Sequence, residues 1–271
     1  MTPADPVPAP QPTSLARSWA IQRRVIWALV LREIPSRYGR HNIGFLWLFV
    51  EPMIFTLAVT ALWTATRSVH GSSLPIVAFA ITGYSSVLLW RNMPNRAIGA
   101  LAPNLSLFYH RNVRPIDIYL SRLLLEAAGA TTSFVFLVVF FCSIGWLEPP
   151  EYILQIVFGW IMLACFGFDL SAFFGALSER FELVAKLLQP TAYILCPLSG
   201  AAFLVDALPT EGQKYVLLLP KVLGVEYIRE EFFGSQIVAH YDMGYMALCN
   251  LALTLLGLAE VAKTSREVIP E

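Results

Sequence analysis

The chain contains six stretches of apolar residues, and each approaches or exceeds the roughly 20 residues that an α-helix needs to cross a bilayer. They lie at residues 43–65, 74–90, 118–146, 152–178, 187–205 and 243–259. Hydrophobic residues make up 56% of the chain and charged residues only 14%, whereas soluble domains carry about 25% charged residues. We therefore predict an all-α integral membrane protein with six transmembrane helices.

Positive charge is distributed unevenly over the connections between these stretches. With six spans, 15 of the 19 Lys and Arg residues lie on the side of the two termini, and four lie on the other side. Because cations are retained on the cytoplasmic side of a bilayer, we predict that both termini are cytoplasmic. The first 14 residues contain five prolines and no apolar run. They predict a disordered cytoplasmic tail at residues 1–14, followed by a single membrane domain at residues 15–271.

The segment before the first span alternates cations with aromatic and aliphatic residues. From Leu15 to Tyr38 this pattern predicts an interfacial helix in the headgroup plane. The helix either anchors the chain at the membrane surface or lines a cytoplasmic entrance for an anionic, sugar-bearing lipid. Arg pairs bidentately with carboxylate or phosphate, and an aromatic ring offers an apolar face to a sugar. The candidate entrance residues are Arg24, Arg37, Tyr38, Arg40 and Trp47.

A short, half-apolar helix is predicted in the cytoplasmic connection between spans 2 and 3. Leu105 and Phe108 share one side of it, Arg114-Pro115 ends it, and Asp117 caps the next helix. Its apolar side either docks on a partner protein or rests on the membrane surface. The candidate docking residues are Asn104, Leu105, Phe108, Tyr109, Arg111 and Val113.

Several ionisable residues lie within or beside the predicted spans, where unpaired charge is costly. Arg122 and Glu126 are four residues apart and can pair on one helical face. Glu51 precedes Pro52, which can kink the first span, and a packing role and a gating role are equally compatible with that position. Asp169 is expected to satisfy a neighbouring helix rather than to contact a substrate. These four residues form a candidate gate or interhelical polar network.

No motif indicates catalytic or metal-binding chemistry. A phosphate-binding loop requires Gly-Lys-Ser/Thr, and none of the four lysines follows a glycine. The four histidines are scattered without an acidic residue at i+4, which disfavours an integral membrane acyl- or glycosyltransferase. The four cysteines lie far apart in apolar stretches and are expected to be core residues. We predict no catalytic residue, no metal, no cofactor and no nucleic-acid partner for this chain.

Residues 206–242 lie between spans 5 and 6 on the predicted external side. Their apolar runs, 215–219 and 222–228, are separated by Pro220 and are too short to cross the bilayer. They predict a re-entrant helical hairpin in the outer leaflet. Pro190 and Pro197 make the fifth span irregular.

Two composite motifs, at residues 31–52 and 104–126, resemble the membrane subunit of type-2 ABC exporters, especially those of group 2 capsular polysaccharide. The external hairpin is similar as well, although the Asn-Pro that is usual there is Leu219-Pro220 in this chain. The first motif consists of Arg32-Glu33, Arg37-Tyr38, Gly44-Phe45-Leu46-Trp47 and Pro52.

The resemblance implies a permease that exports lipid-linked acidic capsular polysaccharide across the bacterial inner membrane. It implies a homodimeric channel and two copies of a separate ATPase subunit that binds ATP and Mg, docked on the helix between spans 2 and 3 as the coupling helix. A periplasmic adaptor and an outer-membrane polysaccharide channel would complete the system. Export of O-antigen, teichoic acid or a drug by the same fold stays open as an alternative.

Overall fold

The computed structural model describes residues 14–38, 44–66, 75–109 and 113–268, and the regular structure within these ranges is helical throughout. Residues 1–13 of the predicted tail, Arg40 and Arg111 lie outside the described residues, as do the side chains of Arg37 and Tyr38. The helices are α1 (Leu15–Tyr38), α2 (Gly44–Thr66), α3 (Ile76–Ala97), α4 (Pro115–Ser143), α5 (Ile153–Ser178), α6 (Glu182–Ile194), α7 (Thr210–Val216), α8 (Pro220–Phe233) and α9 (Met243–Val268).

Three helices in the described ranges, α4, α5 and α9, are long and apolar enough to cross a bilayer. They contain 29, 26 and 26 residues. At about 1.5 Å per residue, each is longer than the roughly 30 Å hydrocarbon core. Their positions agree with three of the predicted spans, and a shorter apolar stretch, Val50–Ala65, lies in α2. The chain is therefore a helical membrane protein, while six crossings remain a prediction.

The fifth predicted span differs most from the structure. It was expected as one stretch over residues 187–205, but α6 ends at Ile194 and contains 13 residues. Such a helix is only about 20 Å long, which is less than the hydrocarbon core. Beyond it the chain turns at Pro197 and at Gly200, whose φ of 80° is left-handed. Pro197 has no amide hydrogen with which to continue the helix. Residues 195–209 form an irregular segment with two single 3₁₀ turns, Pro197–Ser199 and Val205–Ala207.

Helix α5 is the centre of the bundle and packs against α3, α4, α8 and α9. Two of its glycines allow α3 to approach closely. A Cβ at Gly167 would lie 2.8 Å from Met93 Sδ, and a Cβ at Gly175 would lie 2.8 Å from Ala97 Cβ. Such small residues are typical of contacts between membrane helices, where they let two backbones come together.

The connections between helices define two ends of the bundle. Residues 97–109 and 179–181 meet at one end, where the Leu101 amide donates to Glu179 Oε1 at 3.4 Å. We call it the α1 end, and the sequence predicts that it is cytoplasmic. Residues 144–152 meet the end of α8 at the opposite side, where the Tyr152 amide donates to the Glu231 carbonyl at 3.0 Å. We call this the hairpin end, after the re-entrant hairpin predicted for residues 206–242, which stays a prediction.

Helix α1 packs against α4 along one side. Ile26, Val30 and Ile34 of α1 surround Leu125 of α4. Trp19 and Trp27 are 68% and 62% exposed. Exposed Trp rings suit the headgroup region of a bilayer, as the predicted interfacial helix requires.

Candidate functional site

Ion pairs at the α1 end connect four helices. Arg96 Nε on α3 lies 2.9 Å from Glu126 Oε1 on α4, and Arg96 Nη2 lies 3.7 Å from Glu51 Oε1 on α2. Arg122 Nε on α4 lies 2.9 Å from Glu33 Oε1 on α1. Arg122 also donates to the Arg96 carbonyl at 3.2 Å. Three residues of the predicted polar network thus lie together. Arg122 and Glu126 pair with Glu33 and Arg96 of other helices, in place of the i,i+4 pair expected within α4.

Asp169 lies on α5, inside the bundle. Its buried side chain accepts a hydrogen bond from Thr254 Oγ1 of α9 at 2.8 Å. Close by, Asn250 Nδ2 of α9 donates to the Met162 carbonyl of α5 at 2.9 Å. Since both bonds join α5 to α9, the contacts of Asp169 agree with the interhelical role expected for it.

The predicted docking segment forms a 3₁₀ helix over Ala102–Tyr109. Its buried Asn104 donates to the Ala100 carbonyl at 2.7 Å and accepts a hydrogen bond from the Arg32 guanidinium of α1. The segment is therefore attached to α1 as well as to the end of α3.

The side chains of this segment divide into an inner and an outer set. Phe108 is buried in the core, and Val113 is half-buried. Leu105 and Tyr109 are 49% and 80% exposed. The burial of Phe108 corrects the expectation that it shares an exposed apolar side with Leu105. The outward surface of the segment instead combines Leu105 with Tyr109.

The start of α4 is capped as the sequence predicts. The Arg114 amide donates to Asp117 Oδ2 at 2.8 Å, and Pro115 occupies the first helical turn, where its missing amide hydrogen costs nothing. Gln22 of α1 donates to the other oxygen of Asp117. The prediction that Asp117 caps this helix is confirmed, and the end of the preceding segment at Arg114-Pro115 stays a prediction.

The predicted entrance residues are only partly described. Arg24 is exposed on α1, and Trp47 is 53% exposed near the start of α2. Within the described part of the chain, neither makes a polar contact that would place it beside the ion pairs of the α1 end. The grouping of these two residues with Arg37, Tyr38 and Arg40 stays a prediction.

Two polar cavities open beside the ion pairs. One, of about 430 Å³, lies between α1, α3 and the 3₁₀ segment, and the other, of about 420 Å³, lies between α2, α3 and α6. Asn95 and Arg96 line both, so the two cavities adjoin. We call the second one the Arg91 cavity; its polar lining consists of Glu51, Arg91, Asn92, Asn95, Arg96, Gln189 and Tyr193.

Sequence reasoning did not single out the residues of the Arg91 cavity apart from Glu51. Arg91, Asn92 and Asn95 occupy the last two turns of an otherwise apolar helix, and this polar cluster at the end of a span was an available signal. No feature of the sequence around Gln189 indicated that it lines this cavity. It lies almost 100 residues further along the chain and reaches the cavity only because α6 packs beside α3.

A second polar site, at the hairpin, centres on the fully buried Arg229 of α8. Its guanidinium donates to the carbonyls of Gly200, Ala201 and Phe203 at 2.6, 2.6 and 2.8 Å. The Cζ atom lies 3.8 Å from the ring centroid of Phe79 on α3. One side chain thus satisfies three carbonyls of the irregular segment that follows α6.

Neighbouring residues of α8 serve the same segment. Glu226 is buried and accepts a hydrogen bond from the Val205 amide at 3.2 Å. Lys221 Nζ donates to the Leu195 carbonyl, where α6 ends, at 3.0 Å, and it lies 4.9 Å from the ring centroid of Trp90. Irregular backbone that is buried inside a protein needs such partners, because an unpaired buried polar group costs free energy.

The fold and these sites are typical of a helical integral membrane protein. Two polar cavities lined by arginines open at one end of its helix bundle. In the described ranges, no three His, Cys, Asp or Glu side chains converge to form a metal site. No family model matches the chain.

Curated relatives identify the family. The chain is 44% identical to the capsule polysaccharide export inner-membrane protein CtrC of Neisseria meningitidis serogroup B, over 96% of this chain and 98% of CtrC. It is 40% identical to the capsule polysaccharide export inner-membrane protein BexB of Haemophilus influenzae, with the same coverage. The polysialic acid transport protein KpsM of Escherichia coli is 28% identical over 90% of this chain and 95% of KpsM.

The chain belongs to the family of capsule polysaccharide export inner-membrane proteins. The resemblance derived from the sequence is confirmed, and the protein is the inner-membrane subunit of a capsule polysaccharide export system. The names of the relatives support export rather than the acyl- or glycosyltransferase alternative.

Proposed function

We propose that two copies of this chain form the channel of an ATP-driven ABC exporter that carries lipid-linked acidic capsular polysaccharide across the inner membrane. Both termini are cytoplasmic in this proposal, so the α1 end receives the substrate and the ATPase, and the hairpin end faces the periplasm. The excess of 15 cations over four on the side of the termini supports this orientation.

The observation that carries the proposal is the attachment of the 3₁₀ segment to the rest of the α1 end. Leu105 and Tyr109 are exposed, while Phe108 and Asn104 are buried and fix the segment to the bundle. Because Asn104 is hydrogen-bonded to Arg32, displacement of the segment by a docked ATPase acts directly on α1. The separate ATPase subunit supplies ATP and Mg in this proposal.

The ion pairs then extend this connection to the spans. Glu33 of α1 holds Arg122 of α4, and Arg96 of α3 holds both Glu126 of α4 and Glu51 of α2. Chains of packed, charged side chains with more than one arrangement can carry coupling between distant sites. Rearrangement of these pairs is the step by which we infer that ATP hydrolysis opens the channel.

The surface of α6 supports a homodimer. None of its residues is buried within one copy, and Leu183, Leu187 and Ile194 are 65%, 53% and 72% exposed. Lipid can cover these aliphatic side chains, but it would leave the exposed amide of Gln189 on the same helix unpaired. A second copy covers the aliphatic side chains and encloses a polar conduit between the two protomers, which the Gln189 amide faces.

Electrostatics and the relatives support an acidic glycan as substrate. Arg24, Arg37 and Arg40 precede the first span, and Arg keeps its charge at any physiological pH. Polysialic acid, in the name of KpsM, is itself an acidic polysaccharide. A capsule must also pass the periplasm and the outer membrane, which supports a periplasmic adaptor and an outer-membrane channel as further partners.

The test is a deletion of the gene in its host, with and without a plasmid-borne copy. We expect surface polysaccharide to disappear, polymer to accumulate inside the cell, and the plasmid copy to restore export. Tagged protein should co-purify an ATPase whose activity rises when the polysaccharide is added. Normal surface capsule in the deletion strain would contradict the proposal, and loss of O-antigen with intact capsule would favour the alternative substrate.

A further inference from the structure

We propose that the Arg91 cavity binds one acidic sugar unit of the exported polysaccharide. Arg91 pairs with the carboxylate or phosphate of that unit, and Asn92, Asn95 and Gln189 bind its hydroxyl groups. This inference rests on the function proposed above and specifies where, within the chain, the glycan is held.

Arg91 is the anion-binding group of this cavity. Among the described residues no carboxylate pairs with it, whereas the neighbouring Arg96 is held by Glu126 and Glu51. The Arg91 guanidinium instead lies 5.5 Å from the ring centroid of Phe55 and 5.2 Å from that of Tyr193. Arg91 Nη1 donates to Cys196 Sγ, a weak acceptor, at 3.8 Å. Aromatic rings on the flanks of Arg91 replace part of the water around the cation, and its other donors remain available to an anion.

The three amides supply the remaining chemistry. Within the described parts of the chain, the side chains of Asn92, Asn95 and Gln189 have no hydrogen-bond partner. Each amide presents two donors and an acceptor, and a sugar hydroxyl also donates and accepts. Tyr193 is 58% exposed and offers a ring face to the apolar side of a pyranose.

The size and composition of the cavity favour a sugar over a bare headgroup phosphate. Its volume of about 420 Å³ falls within the range of roughly 300–1,000 Å³ that is usual for small-molecule sites. A phosphate needs donors only, so three amides with free acceptor oxygens would be superfluous for it. The three amides instead suit a ligand with several hydroxyl groups. Arg91 further favours a ligand that carries a negative charge.

A photo-crosslinking residue at Gln189 tests the placement directly in exporting cells. We expect an adduct that carries polysaccharide and that vanishes in a strain unable to make the polymer. The same residue at Val157 of α5, which is 47% exposed, should give no such adduct. Absence of a polysaccharide adduct at Gln189, or an adduct with lipid but no sugar, overturns the inference.

Charge and geometry at Arg91 are tested by substitution. Arg91→Gln should lower surface polysaccharide about tenfold or more, and Arg91→Lys should lower it less, because a charge-assisted hydrogen bond is lost only in the first variant. Lys214→Gln on α7 is the matched control, since it removes an exposed cation that pairs with Glu211. Membrane level and ATPase co-purification should match wild type in all three variants.

The outcomes separate this inference from the function on which it rests. If the wild-type gene restores capsule and Arg91→Gln exports at the wild-type level, the sugar site is wrong and the exporter stands. If the wild-type gene does not restore capsule in the deletion strain, the proposed function itself fails.

Discussion

Arg229 of α8 and Gly83 of α3 are held so closely that Gly83 has no room for a side chain. A Cβ at Gly83 would lie 2.4 Å from Arg229 Nη2 and 2.7 Å from the Ala201 carbonyl oxygen. The same guanidinium holds three carbonyls and covers the ring of Phe79. The hairpin, the irregular segment after α6 and the start of α3 are therefore one packed unit.

Substitution of Gly83 by Ala should destabilise the protein. The added methyl group must displace the guanidinium or the backbone at Ala201, and overpacking of this kind costs about 1–3 kcal/mol. The melting temperature of the detergent-purified protein measures the effect. Gly212→Ala on α7 is the matched control, because its nearest neighbour would be 3.7 Å away. Equal melting temperatures for the two variants would contradict this prediction, because they would show that Arg229 can move away from the added methyl group without loss of stability.

Substitution of Arg229 by Met keeps much of the side-chain volume but removes every donor. The buried carbonyls of Gly200, Ala201 and Phe203 then lose their partner, and a buried group without one costs about 1–3 kcal/mol. We expect a lower melting temperature and faster proteolysis within residues 195–209. Lys214→Met, which removes an exposed cation that pairs with Glu211, should leave both measurements unchanged. An unaltered proteolysis pattern in Arg229→Met would contradict the anchoring role.

Docking of the ATPase is tested at the outward surface of the 3₁₀ segment. Leu105→Asp combined with Tyr109→Asp should abolish co-purification of the ATPase, because charge replaces the exposed apolar and aromatic surface. Leu218→Asp, which changes a 60% exposed leucine of the hairpin region, is the control and should leave binding intact. Phe108 is unsuitable for this test because it is buried in the core. Undiminished binding in the double variant would rule out this segment as the docking surface.

The orientation in the membrane is tested by cysteine labelling. After the four native cysteines are replaced by alanine, Glu148→Cys at the hairpin end should react with a membrane-impermeant maleimide added to the periplasm. In cells that lack the ATPase, Leu105→Cys at the α1 end should react only when the inner membrane is opened. Both positions are exposed, so accessibility within the protein does not limit the reaction. The reverse pattern would place the termini outside the cytoplasm.

Local sequence patterns predicted much of the fold. Helices α4, α5 and α9 lie over three of the predicted apolar stretches and are longer than the bilayer core is thick. In that core a helix satisfies the hydrogen-bonding groups of its own backbone. Arg114-Pro115 and Asp117 predicted the start of α4, because a missing amide hydrogen and a capping carboxylate act within one helical turn. The family followed from motifs confined to about 20 residues each.

Only the tertiary structure decided which polar side chains meet. The pattern placed Arg122 and Glu126 on one face of α4, yet their partners Glu33 and Arg96 come from other helices. Phe108 is equally compatible with an exposed or a buried position until the packing of the 3₁₀ segment is known. Local periodicity determines where a helix lies and which residues share its face, because both follow from backbone hydrogen bonding and burial. Which faces touch depends on helix packing, and close approach at Gly167 and Gly175 of α5 sets the position of α3 and of the cavity that Arg91 lines.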